Sequence, residues 1–149
     1  MTARVLVDTN VLVYAYDGTE PDKQERAWQV LDELAPTGLG ALSAQILAEF
    51  VVAVTRKIPA PLNRQEARER VENLRRAWTV FDITGLIVLE AVRGFGTYRF
   101  SYWDSQIWAT ARLNQAPFVL SEDFAAGSTL EGVTFINPFA PDFDLSRCL

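Results

Sequence analysis

The sequence contains no histidine. That absence removes the commonest general base, the Ser-His-Asp and Cys-His nucleophile pairs, and every imidazole metal ligand. Cysteine is nearly absent too: Cys148, beside the C-terminus, stands alone. It cannot form an internal disulfide, which fits a reducing compartment and suggests the cytoplasm. One cysteine and no histidine also leave little from which to build a structural zinc site. There are two lysines, Lys23 and Lys57, so Schiff-base chemistry has little to draw on. No apolar run approaches the roughly 20 residues needed to cross a bilayer, so no membrane association is expected. The N-terminus enters a strand directly, without the basic, apolar and small-residue segments of a signal peptide. Carboxylates, hydroxyls and arginines remain for hydrolytic chemistry, and carboxylates holding a hard cation become the leading option.

What is present describes a globular protein. The 149 residues are 49% apolar and 22% charged, enough for one ordinary domain with a sizeable core. No internal repeat, low-complexity segment or linker interrupts them, so residues 1–149 read as a single domain. The net charge of -5 counts mildly against nucleic acid, because phosphate binding needs positive surface. The charge is unevenly spread, however. Most basic residues are arginines, which suit bidentate phosphate contact, and none lies between Leu113 and Arg147.

The order of elements predicts the fold class. Val5–Asp8 is a short continuous apolar run, as expected of a central parallel strand covered on both faces. Val11–Tyr16 reads as a helical turn, and a helix follows from Glu20 to Leu34 with Ala27, Val30, Leu31 and Leu34 on one face. Ala41-Leu42 is a very short strand, and Ser43 caps a helix reaching Lys57. Asn63-Arg64-Gln65-Glu66 has capping-box spacing and opens a helix to Ala77. Trp78–Ile83 reads as a strand. Thr84 caps a helix ending near Gly94 and Gly96, and Ser101 opens another lasting to Asn114. Phe118–Leu120 and Val133–Ile136 are the last strands. This alternation implies an α/β protein, a central parallel sheet with helices on both faces.

Ligands in open parallel sheets gather at the carboxyl ends of the strands. Asp8 ends the first strand, and Asp123 lies just past Phe118–Leu120. Glu49 and Asp104 lie on helices, Asp104 in the first turn of its own. Three or four carboxylates brought together repel and raise one another's pKa. A divalent cation with oxygen ligands relieves that cost, and it can activate water against a phosphodiester. Ordinary roles are also open to each acid: Asp8 as a helix cap, Asp104 as the acidic member of a capping box with Ser101, and Asp123 as a loop residue.

Glu49 is more informative. It is the only acid in the stretch Ala44–Val54, whose composition signals burial. A buried unpaired glutamate is costly, so an arginine or a metal nearby is expected, unless Glu49 sits solvated at a helix rim. Gln45, Glu49 and Arg56 share one helix stripe. Arg56 is two turns from Glu49, too far for an easy local pair, and could face a phosphate instead.

Four stretches in order resemble the PIN-domain ribonucleases, in particular the VapC-like toxins of bacterial toxin–antitoxin pairs. They are Val7-Asp8-Thr9-Asn10-Val11-Leu12, Ser43-Ala44-Gln45-Ile46-Leu47-Ala48-Glu49-Phe50, Tyr102-Trp103-Asp104-Ser105 and Leu120-Ser121-Glu122-Asp123-Phe124. Each alone is a weak signal; four in order, each carrying its acid, are a strong one. The resemblance implies a PIN-like fold and an acidic cluster of Asp8, Glu49, Asp104 and Asp123. Asn10 and Ser121 match supporting polar positions. It further implies magnesium or manganese held by Asp8, Asp104 and Asp123, with Glu49 as ligand or base, and cleavage of single-stranded regions of RNA. Arg56 becomes a candidate RNA contact. A homodimer and a cognate antitoxin covering the active groove are implied as well. Glu122 adds an acid beside Asp123, and the spacing from Ser121 favours Asp123 for the metal.

Arginine and aromatic residues interleave over Arg93–Phe100. Such a stretch can stack bases, but core and dimer-interface roles fit it better, since it would otherwise form a sizeable exposed patch. Trp103 and Trp108 read as packing residues. Two rival functions remain: a phosphoacceptor, which would want a lysine near the acids, and a catalytically inactive PIN-fold module that binds RNA or protein.

Overall fold

A computed structural model describes residues 3–124 and 127–149. Six strands form one sheet: β1 (Val5–Val7), β2 (Gly40–Ser43), β3 (Thr79–Phe81), β4 (Phe118–Leu120), β5 (Thr129–Leu130) and β6 (Val133–Ile136). Their order across the sheet is β3-β2-β1-β4-β6-β5. Five strands run parallel, and β5 returns antiparallel on β6 at the edge. The central parallel sheet is as expected, and the edge strand β5 makes the whole sheet mixed. The β5–β6 hairpin turns at Glu131 and Gly132, both at positive φ, and β5 is too short to leave a periodic signal.

Among the described residues six α-helices accompany the sheet: α1 (Thr9–Tyr14), α2 (Pro21–Leu34), α3 (Ala44–Arg56), α4 (Arg64–Ala77), α5 (Gly85–Tyr98) and α6 (Tyr102–Leu113). Val5, Leu6 and Val7 are all fully buried. Successive strand residues face opposite sides, so both faces of β1 are covered. Caps start the helices where the sequence suggests. Ser43 accepts from the Ile46 amide, and Asn63 and Glu66 form a reciprocal capping box. Asp8 itself caps α1 through the Thr9 amide, which is why that helix begins two residues earlier than the Val11 start expected.

The glycines of α5 do not end it. Gly94 lies where α5 meets α6, and a Cβ there would stand 2.5 Å from the Trp108 ring and 2.7 Å from Ser105 Oγ. The glycine is a close-approach residue, and the helix stops instead at Arg99, in the left-handed region at φ 59°. Trp108 is fully buried, as expected, whereas Trp103 is 61% exposed. The packing role expected for Trp103 is thus corrected: it occupies the first turn of α6, ahead of the buried run that begins at Ser105.

The chain builds β1, then β2 and β3 on one side, then returns to place β4 on the other side of β1. The carboxyl ends of β1 and β4 therefore flank a topological switch point, where open α/β sheets hold their ligands.

Candidate active site

Asp8 follows β1 directly, and its amide donates to the Leu120 carbonyl of β4 at 2.9 Å. Its carboxylate is buried, at 3% exposure. Oδ1 accepts from the Thr9 amide at 2.7 Å, and Oδ2 accepts from the Ser121 hydroxyl at 2.7 Å. Asn10, in the first turn of α1, reaches across to the loop after β4. Its Nδ2 donates to Asp123 Oδ2 at 2.9 Å and lies 3.2 Å from Ser121 Oγ. Ser121 Oγ also accepts from the Asp123 amide at 3.0 Å. Asp8, Asn10, Ser121 and Asp123 thus form one hydrogen-bonded group at the switch point.

Glu49 and Asp104 border this group from α3 and α6. Glu49 is half-buried and accepts from Gln45 Nε2 at 2.7 Å. Among the described residues its side-chain partner is the Gln45 amide rather than an arginine, and Lys57 reaches it only through its charge. Asp104 is held by its backbone, which donates to Ser101 Oγ at 3.1 Å.

The electrostatics place the four acids in one field. Burial pushes the Asp8 carboxyl up to about 7 against the opposing hydrogen bonds from Ser121 and Thr9, and the charges of Asp123 and Glu49 add to the rise. Glu49 is raised by burial, opposed by Gln45, with Asp104 and Asp123 adding. Asp104 is raised by burial, opposed by Ser101, with Asp123 adding. The acids sense one another, yet among the described residues no three stand close enough to enclose a metal ion together. The donor set is all oxygen, which suits a hard cation. Magnesium keeps several of its waters and needs only one or two carboxylates, so the residues fit such an ion without a closed cage.

Glu122 turns away from this field. Lys23 Nζ meets Glu122 Oε2 at 2.8 Å, and the Tyr14 hydroxyl donates to Glu122 Oε1. The acid beside Asp123 is neutralised within its own side group, which leaves Asp123 facing the site. Lys23 and Tyr14 were not legible as site neighbours, because nothing in their local sequence ties them to a loop about a hundred residues away. The phosphoacceptor reading wanted a lysine near the acids; the one that arrives is engaged by Glu122.

Arg56 is exposed at the end of α3 and lines a groove of about 1260 Å³ between α3 and α4. Val52, Leu62 and Val71 contribute to its apolar floor, and its lining holds five arginines against one acid, Glu72. Seven residues separate Arg56 from Glu49, about 10 Å along the helix. The Arg93–Phe100 stretch is mostly structural. Arg93 pairs with Glu90 and Glu131, and Phe100 packs among Trp108, Phe124 and Phe135. Phe95 is the exception, half-exposed with Leu86, Leu89 and Val92 on α5.

An α/β sheet with acids gathered at its switch point defines the class. The PIN domain family model matches residues 5–126, and the chain belongs to that family. Solved structures with the same fold include a toxin–antitoxin complex from Klebsiella pneumoniae, at 19% identity and TM-score 0.67, covering 90% of this chain and 97% of that one. Mycobacterium tuberculosis VapC20, a sarcin-ricin loop cleaving toxin, matches at 15% identity and TM-score 0.67, covering 85% of this chain and 97% of that one. FitAcB from Neisseria gonorrhoeae matches at 24% identity and TM-score 0.62, covering 91% and 98%. A search of curated proteins finds no match.

Proposed function

We propose that this protein is a divalent-metal-dependent endoribonuclease acting as the toxin of a toxin–antitoxin pair. One observation carries the reading: four carboxylates from distant positions share one field at the switch point, and their nearest partners are neutral amides and hydroxyls. Arginine or lysine partners would cancel the charge that a metal ion needs. Asp8, Asp104 and Asp123 would hold Mg²⁺ or Mn²⁺, one or two of them directly and the rest through its retained waters, with Glu49 as a further ligand or as the base beside it. Such an ion, when bound, supplies an activated water and stabilises charge on a phosphoryl oxygen. Asn10 and Ser121 keep Asp8 and Asp123 aimed at the same space, and Arg56 contacts the RNA backbone along the α3 stripe.

The toxin role draws on the structural neighbours, a toxin–antitoxin complex from Klebsiella pneumoniae and a sarcin-ricin loop cleaving toxin from Mycobacterium tuberculosis. The α3–α4 groove supports a partner of matching chemistry, an antitoxin segment with apolar side chains for the floor and acidic ones for the arginines. The apolar face of α5 at Leu86, Leu89 and Val92 suits a homodimer contact. The chain would act as one domain in the cytoplasm.

The test is cleavage of a labelled single-stranded RNA by purified protein with Mg²⁺, Mn²⁺ or chelator. Cleavage that chelator abolishes, and that Asp8→Asn and Asp104→Asn each remove, is expected. Cleavage persisting in chelator would refute the metal chemistry. RNA or antitoxin binding without cleavage or Mn²⁺ uptake would point to the inactive binding module.

A further inference from the structure

Glu49 is held by a directed chain of neutral hydrogen bonds that begins on α6. The Tyr102 hydroxyl donates to Gln106 Oε1 at 2.9 Å. Gln106 Nε2 donates to Gln45 Oε1 at 2.9 Å. Gln45 Nε2 then donates both to Glu49 Oε1 at 2.7 Å and to the Trp103 carbonyl at 3.0 Å. Both glutamines are buried.

This arrangement fixes the Gln45 amide in one sense. A carboxamide offers two N–H donors and one carbonyl. Turned over, Gln45 would set its oxygen against a carboxylate and a backbone carbonyl, and its nitrogen against the Gln106 amide nitrogen. Each link orders the next, and linked hydrogen bonds polarise one another in the same direction. The chain ends on one oxygen of Glu49.

The neutrality of the links bears on the site. An arginine or lysine in place of Gln45 would orient Glu49 equally well, but it would also cancel the negative charge. An amide orients without neutralising. The second donor of Gln45 reaches Trp103, the residue before Asp104, so one side chain sets two acid-bearing segments relative to each other. We propose that Gln45, held by Gln106 and Tyr102, is a positioning residue that fixes the Glu49 carboxylate and ties it to the helix turn carrying Asp104. This rests on the ribonuclease reading for its catalytic consequence, but not for its geometry.

The test replaces Gln45 with methionine, which keeps length and loses both donors. In the wild-type background kcat for RNA cleavage should fall by about 10- to 100-fold, with KM little changed and Mn²⁺ binding weakened in calorimetry. In a Glu49→Gln background the same replacement should cost clearly less, because only the tie to the Trp103 carbonyl is left to lose. An equal loss in both backgrounds, or no loss in either, would overturn the proposal.

Two further measurements keep it decidable. NMR of the metal-free protein should show the Gln45 side-chain amide protons protected from exchange, and Gln45→Met should shift the Glu49 carboxyl carbon; rapid exchange and an unmoved carbon would also overturn it. If Gln45→Met does not fold, Gln106→Met removes the preceding link and should lower kcat in the same direction, and an unchanged kcat there counts against the chain. Wild-type protein that neither binds Mn²⁺ nor cuts RNA would refute the proposed function, while the NMR measurement would still decide the positioning.

Discussion

Asn10 donates from Nδ2 to Oδ2 of Asp123 at 2.9 Å, across 113 positions of sequence. That bond joins the helix after β1 to the loop after β4. It brings Asp123 toward Asp8 through a neutral amide. The metal-free site is therefore a place of concentrated negative charge held by amides and hydroxyls, and its behaviour follows from that.

Stability should fall as pH rises through the Asp8 transition in metal-free protein. The folded Asp8 carboxyl is raised from 3.8 to about 7, so the unfolded chain releases its proton first. No cost exists below the lower value. It grows between the two and is complete above the upper, on the order of 4 kcal/mol. Melting curves in chelator from pH 4 to pH 8 should show Tm declining over this window for wild type, and declining less for Asp8→Asn.

Metal should reverse the loss. Ions bound only by the folded chain stabilise it by mass action, and the carboxylates must be ionised to bind. Adding Mn²⁺ should raise Tm strongly at pH 8 and little at pH 5, with the rise lost in Asp8→Asn. An equal rise at both values would place the ion elsewhere.

Asp123 and Glu122 should separate cleanly in a cleavage assay. Asp123→Asn should lower kcat/KM by on the order of 100-fold or more. Glu122→Gln disturbs only the partnership with Lys23 and Tyr14 and should leave cleavage within about threefold, since partly exposed ion pairs contribute roughly 0–1 kcal/mol.

Gly94→Ala should destabilise the α5–α6 pair. The added methyl would stand 2.5 Å from the Trp108 ring, and overpacking of this kind costs about 1–3 kcal/mol. Urea denaturation reads the loss directly, and Gly96→Ala is the control, since a Cβ there meets nothing within 4 Å.

The α5 face should govern assembly. Leu89 is 67% exposed, and Leu89→Arg should convert a dimer to a monomer in sedimentation without lowering Tm. A wild type that sediments as a monomer would remove the dimer reading.

Apart from β5, the order of strands and helices was legible from residues alone, because period, caps and breakers are local signals: Ser43, Asn63, Thr84 and Ser101 each cap the helix expected of them. Two candidate acids also stood out there, since Asp8 ends an apolar strand and Glu49 interrupts an apolar helix. The absence of histidine made oxygen donors the leading option. The tertiary structure alone decided what those acids face. Gln45 rather than an arginine meets Glu49, Lys23 draws Glu122 aside, Gly94 serves a helix contact instead of a helix end, and Trp103 is left exposed. These outcomes depend on side chains brought together from distant positions, and such meetings are set by packing and strand order, which leave no trace in any short stretch of sequence.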